Sequence, residues 1–145
     1  QAQENYEVEL RELQDMEGVT ALTGLKELHL EKPYGCAEPS LAGLTSLKSL
    51  TLEYFDDCTF LSSLTELESL TLQGSDLSSG VDLSGLTQLK RLVCTSRASD
   101  TDLSFVQKLS SLESVDLGGM GTYDDISGIF ALPNLKELIL NGMEC

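Results

Sequence analysis

The sequence predicts a solenoid, a fold in which short parallel strands and compact helical turns stack as repeated units. Two features of its leucines predict this fold. A phrase of nine residues recurs six times along the chain, and its central leucines lie 20 to 23 residues apart. Within each copy, leucines recur at every third residue and then at every second residue, with Cys94 and Val115 as the two substitutions. A repeat of this length is one supersecondary unit, which buries its apolar edge only against its neighbours.

Each copy of the phrase predicts a compact turn followed by a strand. Residues 61–72 show the full pattern, LSSLTELESLTL. Leucines at every third residue are typical of a 3₁₀ or short helical turn, whereas the closing L-x-L has the period of a half-buried strand. The copies occupy 22–30, 44–52, 64–72, 86–94, 109–117 and 132–140. The predicted strands are 27–30, 49–52, 69–72, 91–94, 114–117 and 137–140.

A further strand is predicted ahead of the first repeat, at 6–10. Val8 and Leu10 precede the anchor leucine Leu25 by the same intervals by which Leu50 and Leu52 precede the anchor leucine Leu67. Such a strand would shield the first row of leucines from water.

We expect a single repeat domain over 1–145, with a cap or partial repeat at 1–21 and six repeats at 22–143. The chain ends with NGMEC directly after a predicted strand. Because a solenoid needs a polar cap at each end, we expect either a module of a longer protein or a last strand whose edge is covered by something else.

These residues resemble the leucine-rich-repeat superfamily over 6–143, and the segments DLSGLTQL at 82–89 and DISGIFALPNL at 125–135 are similar to the returns of its short, internalin-like class of about 22 residues. The resemblance implies an α/β repeat solenoid. It would have a curved parallel sheet on the concave side, short 3₁₀ or helical returns on the convex side, and about six repeats plus a cap strand.

The same resemblance implies a function. Members of the family are non-catalytic scaffolds that hold a protein or peptide on the concave sheet, often as secreted or cell-surface bacterial proteins. We therefore expect a protein-interaction module that is exported, with a cytoplasmic location as the alternative.

The chain departs from the family at one position. The family has an asparagine three residues after the last inward leucine, where its amide satisfies backbone groups of the turn. Buried polar groups left unpaired cost about 1–3 kcal/mol each, so these turns must be satisfied in another way. The residues at this position are Pro33, Phe55, Ser75, Arg97, Met120 and Met143.

Composition excludes several classes of partner. The formal net charge of −15 disfavours nucleic acid and anionic lipid surfaces. No apolar run approaches the ~20 residues that cross a bilayer, so membrane insertion is not expected. An acidic surface serves solubility, or it attracts a basic partner, and both interpretations stay open.

The four cysteines do not form a metal-binding pair or a dense disulfide framework. Cys94 replaces a leucine at an inward strand position, where it serves as a small apolar residue. Cys36 and Cys58 occupy equivalent places in adjacent repeats. They can form a disulfide if the two loops follow the same path, and two separate thiols are the alternative. Cys145 is terminal and has no assigned role.

Aspartates precede an apolar residue and a serine at three returns, where they are expected to accept hydrogen bonds from the N–H groups of the coming turn. These are Asp82, Asp102 and Asp125. The alternative is an acidic ladder that coordinates calcium, although no repeat shows the spacing of a dedicated calcium loop. Its members would be Asp56, Asp57, Asp76, Asp100, Asp102, Asp124 and Asp125.

A column of charged residues follows the anchor leucines, and its sign alternates from the second repeat onward. Neighbours in adjacent repeats can therefore pair, each pair contributing about 0.2–1 kcal/mol. The column is Lys26, Lys48, Glu68, Lys90, Glu113 and Lys136.

Residues between the inward leucines of each strand point outward, so the concave face can be predicted directly. Its central column is His29, Thr51, Thr71, Val93, Asp116 and Ile139. Tyr34, Tyr54 and Phe55 cluster beyond the first strands as a recognition patch, unless Phe55 is core and the tyrosines merely cover it. The candidate partner-binding residues are His29, Glu31, Tyr34, Thr51, Glu53, Tyr54, Thr71, Gln73, Arg91 and Asp116.

Catalysis is not expected. His29 is the only histidine, which leaves no multi-histidine metal site, and the sequence has no GxSxG, phosphate-binding glycine loop or HExxH motif. No metal or cofactor is predicted. The partner is expected to be a protein or peptide, and the rival interpretations are a structural spacer or stalk of a bacterial surface protein and a calcium-dependent adhesion module.

Overall fold

The computed structural model describes residues 7–10, 20–32, 40–75, 82–95, 106, 108–118 and 127–140. Seven parallel strands form one sheet and follow each other in chain order. The strands are β1 Glu7–Leu10, β2 Glu27–Glu31, β3 Ser49–Glu53, β4 Ser69–Gln73, β5 Arg91–Thr95, β6 Ser114–Asp116 and β7 Glu137–Ile139. The predicted solenoid and the additional strand before the first repeat are both confirmed.

The strand leucines align from one repeat to the next. Leu28 pairs with Leu50, Leu50 with Leu70, and Leu70 with Leu92. All four are at most 3% exposed. In the backbone register, Val8 of β1 pairs with Leu28. The strands therefore share one buried apolar spine, as predicted.

The returns are tight turns of the 3₁₀ type. Leu44 N donates to Leu41 O at 3.0 Å and Leu47 N to Leu44 O at 3.1 Å, and the same three-residue bonds recur in the later repeats. Regular 3₁₀ helices form at Thr59–Ser63 and Ser127–Ala131. The three-residue leucine period thus folds as predicted, and it turns each leucine of the return toward the core.

The strand ends differ slightly from the predicted ones. Strands β2 to β5 extend one residue further, whereas β6 and β7 end one residue earlier, at Asp116 and Ile139. The carboxylate of Asp116 accepts a hydrogen bond from Gly118 N at 2.8 Å. This local bond takes a backbone donor that a longer strand would use in the sheet, so it explains the early end of β6.

The position just before each strand links neighbouring repeats through the backbone. The carbonyl of Lys26 accepts bonds from Lys48 N at 2.9 Å and Ser49 N at 3.0 Å, and the arrangement repeats along the sheet. The predicted side-chain pairing along this column is present between Lys48 and Glu68 at 3.2 Å and between Lys136 and Glu113 at 3.5 Å. The column therefore helps to fix the register of adjacent repeats.

Aspartate capping is confirmed at Asp82, whose Oδ1 accepts a bond from Ser84 N at 2.9 Å. Asp57 plays the same part, accepting bonds from Thr59 N at 3.0 Å and Thr59 Oγ1 at 2.7 Å. Asp57 was not among the predicted caps, although the triplet Asp-Cys-Thr has the same form. Asp102 and Asp125 lie outside the described residues.

A serine replaces the missing asparagine in one turn. Ser75 is fully buried, and its hydroxyl accepts a bond from Phe55 N at 3.1 Å. The same oxygen lies 3.5 Å from Leu52 O and 3.4 Å from Gln73 O, to either of which it can donate. Pro33, Arg97, Met120 and Met143 lie outside the described residues.

Two cysteines lie in the core. Cys58 and Cys94 are both buried, and Cys94 occupies the inward strand position opposite Leu72, as predicted. Cys36 and Cys145 lie outside the described residues, so the disulfide between Cys36 and Cys58 stays a prediction.

The last repeat is less completely buried than the others. Its apolar residues Leu135, Leu138 and Leu140 are only partly buried. Their counterparts one repeat earlier are fully buried: Leu112, Val115 and Leu117. The spine is therefore complete through β6 and half covered at β7.

Replacing a central spine residue tests this architecture. Leu70→Ala should lower the free energy of unfolding by about 2–5 kcal/mol, because it leaves a cavity between two packed repeats. Urea denaturation measures the change. The outward neighbour Thr71→Ala is the matched control, and its cost should stay below about 1 kcal/mol. Equal losses in the two variants would contradict the inward assignment of Leu70.

Capping by Asp57 makes a prediction about pH. The hydrogen bonds from the Thr59 side chain and backbone hold the pKa of Asp57 below its ordinary value of 3.8. A carboxyl group whose pKa is lower in the folded than in the unfolded protein stabilises the fold at pH values above its unfolded pKa. That contribution is lost as the pH falls through its folded pKa. Asp57→Ala should therefore be destabilised at neutral pH. The difference from the parent should shrink as the pH is taken below 3.8. Thermal denaturation over this pH range measures the difference in stability between Asp57→Ala and the parent, and Glu66→Ala is the control. A difference that does not depend on pH would exclude stabilisation by the ionised form of Asp57.

Candidate functional site: the concave sheet and its loop edge

The strand register orders the outward residues into three files. The central file runs from His29 through Thr51, Thr71, Val93 and Asp116 to Ile139. One flanking file, at the beginning of the strands, contains Glu27, Ser49, Ser69, Arg91, Ser114 and Glu137. The other, at the strand ends, contains Glu31, Glu53, Gln73 and Thr95. Nine of the ten candidate residues thus lie on or beside this face, and Tyr34 lies outside the described residues.

Two candidates contact each other. His29 Nε2 contacts the carboxylate of Glu53 across the pair β2 and β3, and the two side chains are 31% and 19% exposed. This contact ties the central file to the strand-end file in the first repeats.

A second polar pair closes the edge of the sheet. Lys32 Nζ lies 2.6 Å from Asp56 Oδ2, and the lysine side chain is only 13% exposed. The backbone continues the sheet past the strand ends, since Lys32 N donates to Glu53 O at 3.0 Å and Tyr54 N donates to Gln73 O at 2.9 Å. Sequence reasoning did not identify Lys32, because its partner depends on the path of the loop.

Tyr54 is the exposed aromatic residue of this edge. Its side chain is 49% exposed, and its φ of 66° lies in the left-handed region. Gly74 occupies the equivalent place one repeat later with a φ of 59°. A residue with a side chain pays about 1–2 kcal/mol in this conformation, so the turn holds Tyr54 in a strained backbone.

Phe55 does not belong to the exposed surface. It is fully buried, and its ring meets Phe60 edge to face at a centroid distance of 6.3 Å. The interpretation of Phe55 as core is therefore confirmed. Tyr54 is therefore left as the exposed aromatic residue of the described edge.

Exposure along the central file is uneven. Val93 is only 8% exposed, although it stands between Thr71 and Asp116 on the outward face. The file consequently offers hydroxyl groups at Thr51 and Thr71 and a carboxylate at Asp116, with little accessible surface at β5.

One exposed aromatic was missed by sequence reasoning. Phe130 is 68% exposed and lies in the 3₁₀ helix Ser127–Ala131, away from the sheet. The signal was present in the alignment of the repeats, since the equivalent residues Ala42, Ser62 and Ser84 are small.

The described part of the chain contains no group of three or more His, Cys, Asp or Glu side chains that could hold a metal ion. Asp56 and Asp57 of the calcium hypothesis are used within the protein, by Lys32 and Thr59 respectively. Asp76, Asp100, Asp102, Asp124 and Asp125 lie outside the described residues. No described helix is long and apolar enough to cross a membrane.

The equivalence of Tyr54 and Gly74 leads to a stability prediction. Gly74→Ala should destabilise the protein by about 1 kcal/mol or more, because its φ disfavours a side chain. Gly43→Ala is the matched control: a Cβ there meets nothing within 4 Å, so the substitution should be neutral or stabilise by about 0.4–1 kcal/mol. Urea denaturation compares the two. Equal effects would contradict the left-handed turn.

Searches against known proteins give the following result. No protein-family model matches the chain, and no curated protein matches it at a significant level. Among solved structures, internalin C2 of Listeria monocytogenes is 31% identical, with a TM-score of 0.73. The match covers 90% of this chain and 59% of the internalin, so the chain spans less than two thirds of that structure.

Two plant receptor ectodomains share the fold. The leucine-rich-repeat ectodomain of the Arabidopsis receptor kinase HAESA, solved with an N-terminally extended IDA peptide hormone, is 20% identical with a TM-score of 0.68, over 88% of this chain and 24% of the other. That of SOBIR1 from Arabidopsis thaliana is 20% identical with a TM-score of 0.54, over 87% of this chain and 63% of the other. The parallel strands, the aligned leucines and these similarities together establish that the chain is a leucine-rich-repeat solenoid with internalin-like repeats.

Proposed function

We propose that this protein is a non-catalytic scaffold that binds a protein or peptide partner through its concave sheet and the adjoining loop edge. The observation that carries the proposal is the unbroken register of seven parallel strands. It holds the outward side chains in ordered files while the alternate residues of β2 to β6 are buried. A surface fixed by its core loses little conformational entropy when it binds.

The loop edge adds the features that recognition requires. Tyr54 exposes half of its side chain and projects from a turn that holds it in a strained conformation. Tyrosine is enriched among the residues that dominate binding energy at interfaces. Strained residues are also concentrated at ligand-binding sites. Tyr54 is therefore proposed as the aromatic anchor beside the candidates Glu31, Glu53 and Gln73.

The overall charge favours a basic partner. The chain carries 24 acidic and nine basic side chains, which would steer a cationic molecule toward it. The HAESA ectodomain, which has this fold, holds a peptide hormone in its solved structure. By analogy with such ectodomains and with internalins, we propose that the protein acts outside the cell or at its surface, as one repeat domain.

A peptide selection tests the use of the concave face. A random peptide library displayed on phage is selected on the immobilised protein, and the enriched peptides are then measured against variants by fluorescence anisotropy. Thr71→Arg should weaken them roughly tenfold or more, about 1.4 kcal/mol, because it fills the middle of the face. Tyr54→Ala should weaken the binding of the selected peptides that extend to the loop edge.

The control keeps the same chemical change away from the face. Glu66→Arg adds an arginine at an exposed turn outside the sheet and should leave affinity unchanged, and circular dichroism checks that all variants fold. If Thr71→Arg binds the selected peptides as tightly as the parent, the concave face is not the binding surface.

A further inference from the structure

One file of the concave face carries opposite charges at a fixed separation. We call Glu27, Ser49, Ser69 and Arg91 the serine file. Each member pairs in register with the next across β2, β3, β4 and β5. The serine file is a segment of the longer file at the strand beginnings, which continues through Ser114 to Glu137. An acidic residue stands at one end of this segment and a basic residue at the other, with two hydroxyl groups between them.

The charged ends of the serine file are accessible. Glu27 and Arg91 are both exposed, and the two serines are half-buried. Neither charge forms an ion pair with another residue in the described ranges, in contrast to His29 with Glu53 and Lys32 with Asp56. Both charges can therefore pair with a ligand without first breaking a bond inside the protein.

The other two files lack this pattern. The strand-end file has carboxylates at Glu31 and Glu53 and no basic residue, and Glu53 already contacts His29. The central file has a carboxylate at Asp116, which accepts a bond from Gly118 N, and Val93 beside it is buried. Among the described files, the serine file is thus the one with exposed, opposite charges.

The separation of the charges specifies the length of the ligand. Adjacent strands lie about 4.8 Å apart, so three steps from β2 to β5 span about 14 Å. An extended peptide advances about 3.4 Å per residue and covers this distance in about four residues. A segment lying across the strands would therefore place charged side chains at positions i and i+4 over Glu27 and Arg91.

We infer that the preferred partner of this face is an extended peptide segment with a basic and an acidic side chain four residues apart, lying along the serine file. The basic side chain pairs with Glu27, and the acidic one pairs with Arg91. Arginine is well suited to this role because its guanidinium binds a carboxylate with two parallel hydrogen bonds. The hydroxyls of Ser49 and Ser69 hydrogen-bond to the intervening peptide backbone. This inference rests on the proposed function and adds the chemistry of the partner.

Charge reversal at either end tests the inference. The random phage library is selected separately on the parent, on Arg91→Glu and on Glu27→Lys. The parent should enrich opposite charges at i and i+4 in either order, since the peptide can run in both directions. Arg91→Glu should enrich two basic residues at this spacing, and Glu27→Lys should enrich two acidic ones.

Matched controls make the same change in charge elsewhere. Lys90→Glu alters the residue next to Arg91 but lies outside the files, and Glu66→Lys alters an exposed turn. Both should select the same peptides as the parent. Synthetic peptides from the parent selection should lose at least roughly tenfold in affinity on Arg91→Glu and on Glu27→Lys, and little on either control.

The possible results separate the two levels of the proposal. In two outcomes, the selected peptides lose binding to Thr71→Arg and yet show no charge spacing, or show the same spacing on all variants. Either result overturns the inference about the serine file and leaves the concave face as the binding surface. Peptides unaffected by Thr71→Arg, or no enrichment above an unrelated protein, overturn both. Spacings that change with each charge reversal support the inference.

Discussion

The shared leucine spine is the constraint on which the rest of this structure depends. A single repeat has a strand of three to five residues and one tight return, and it cannot bury its own apolar side chains. Full burial of a leucine contributes about 1.5–3 kcal/mol, and here that burial is supplied by the repeats on either side. Stability is therefore a property of neighbouring pairs of repeats, which is why the partly covered leucines of β7 stand out from the others.

The spine also determines which residues form the concave face. Because side chains alternate along a strand, a shift of one residue would exchange the leucines for the polar residues between them. Burial of Leu50 and Leu70 therefore fixes Thr51 and Thr71 on the outside. The serine file follows from the same register, since Glu27 and Arg91 belong to one file only while Leu28 and Leu92 remain inside.

The predictable part of the molecule is the part governed by leucine spacing. Strand positions, register, inward residues and the concave files could be predicted from the sequence because each repeats with a short period. The loop edge could not be predicted in the same way. The contacts between Lys32 and Asp56 and between Phe55 and Ser75 span 24 and 20 residues, and they depend on loop paths that differ from repeat to repeat. The sequence left Phe55 undecided between core and surface, and only its burial resolves the choice.

The exposure of Tyr54 is explained by its neighbour. Phe55 is buried against Phe60, and its amide donates to the buried hydroxyl of Ser75. Burying a phenylalanine contributes about 1.5–3 kcal/mol, and a net hydrogen bond adds about 0.5–1.5 kcal/mol. The left-handed backbone at Tyr54 costs about 1–2 kcal/mol, which is less than their sum. Burial of Phe55 therefore offsets the cost of the left-handed backbone at Tyr54 within the folded protein itself, and the exposure of Tyr54 follows from the packing of its neighbour.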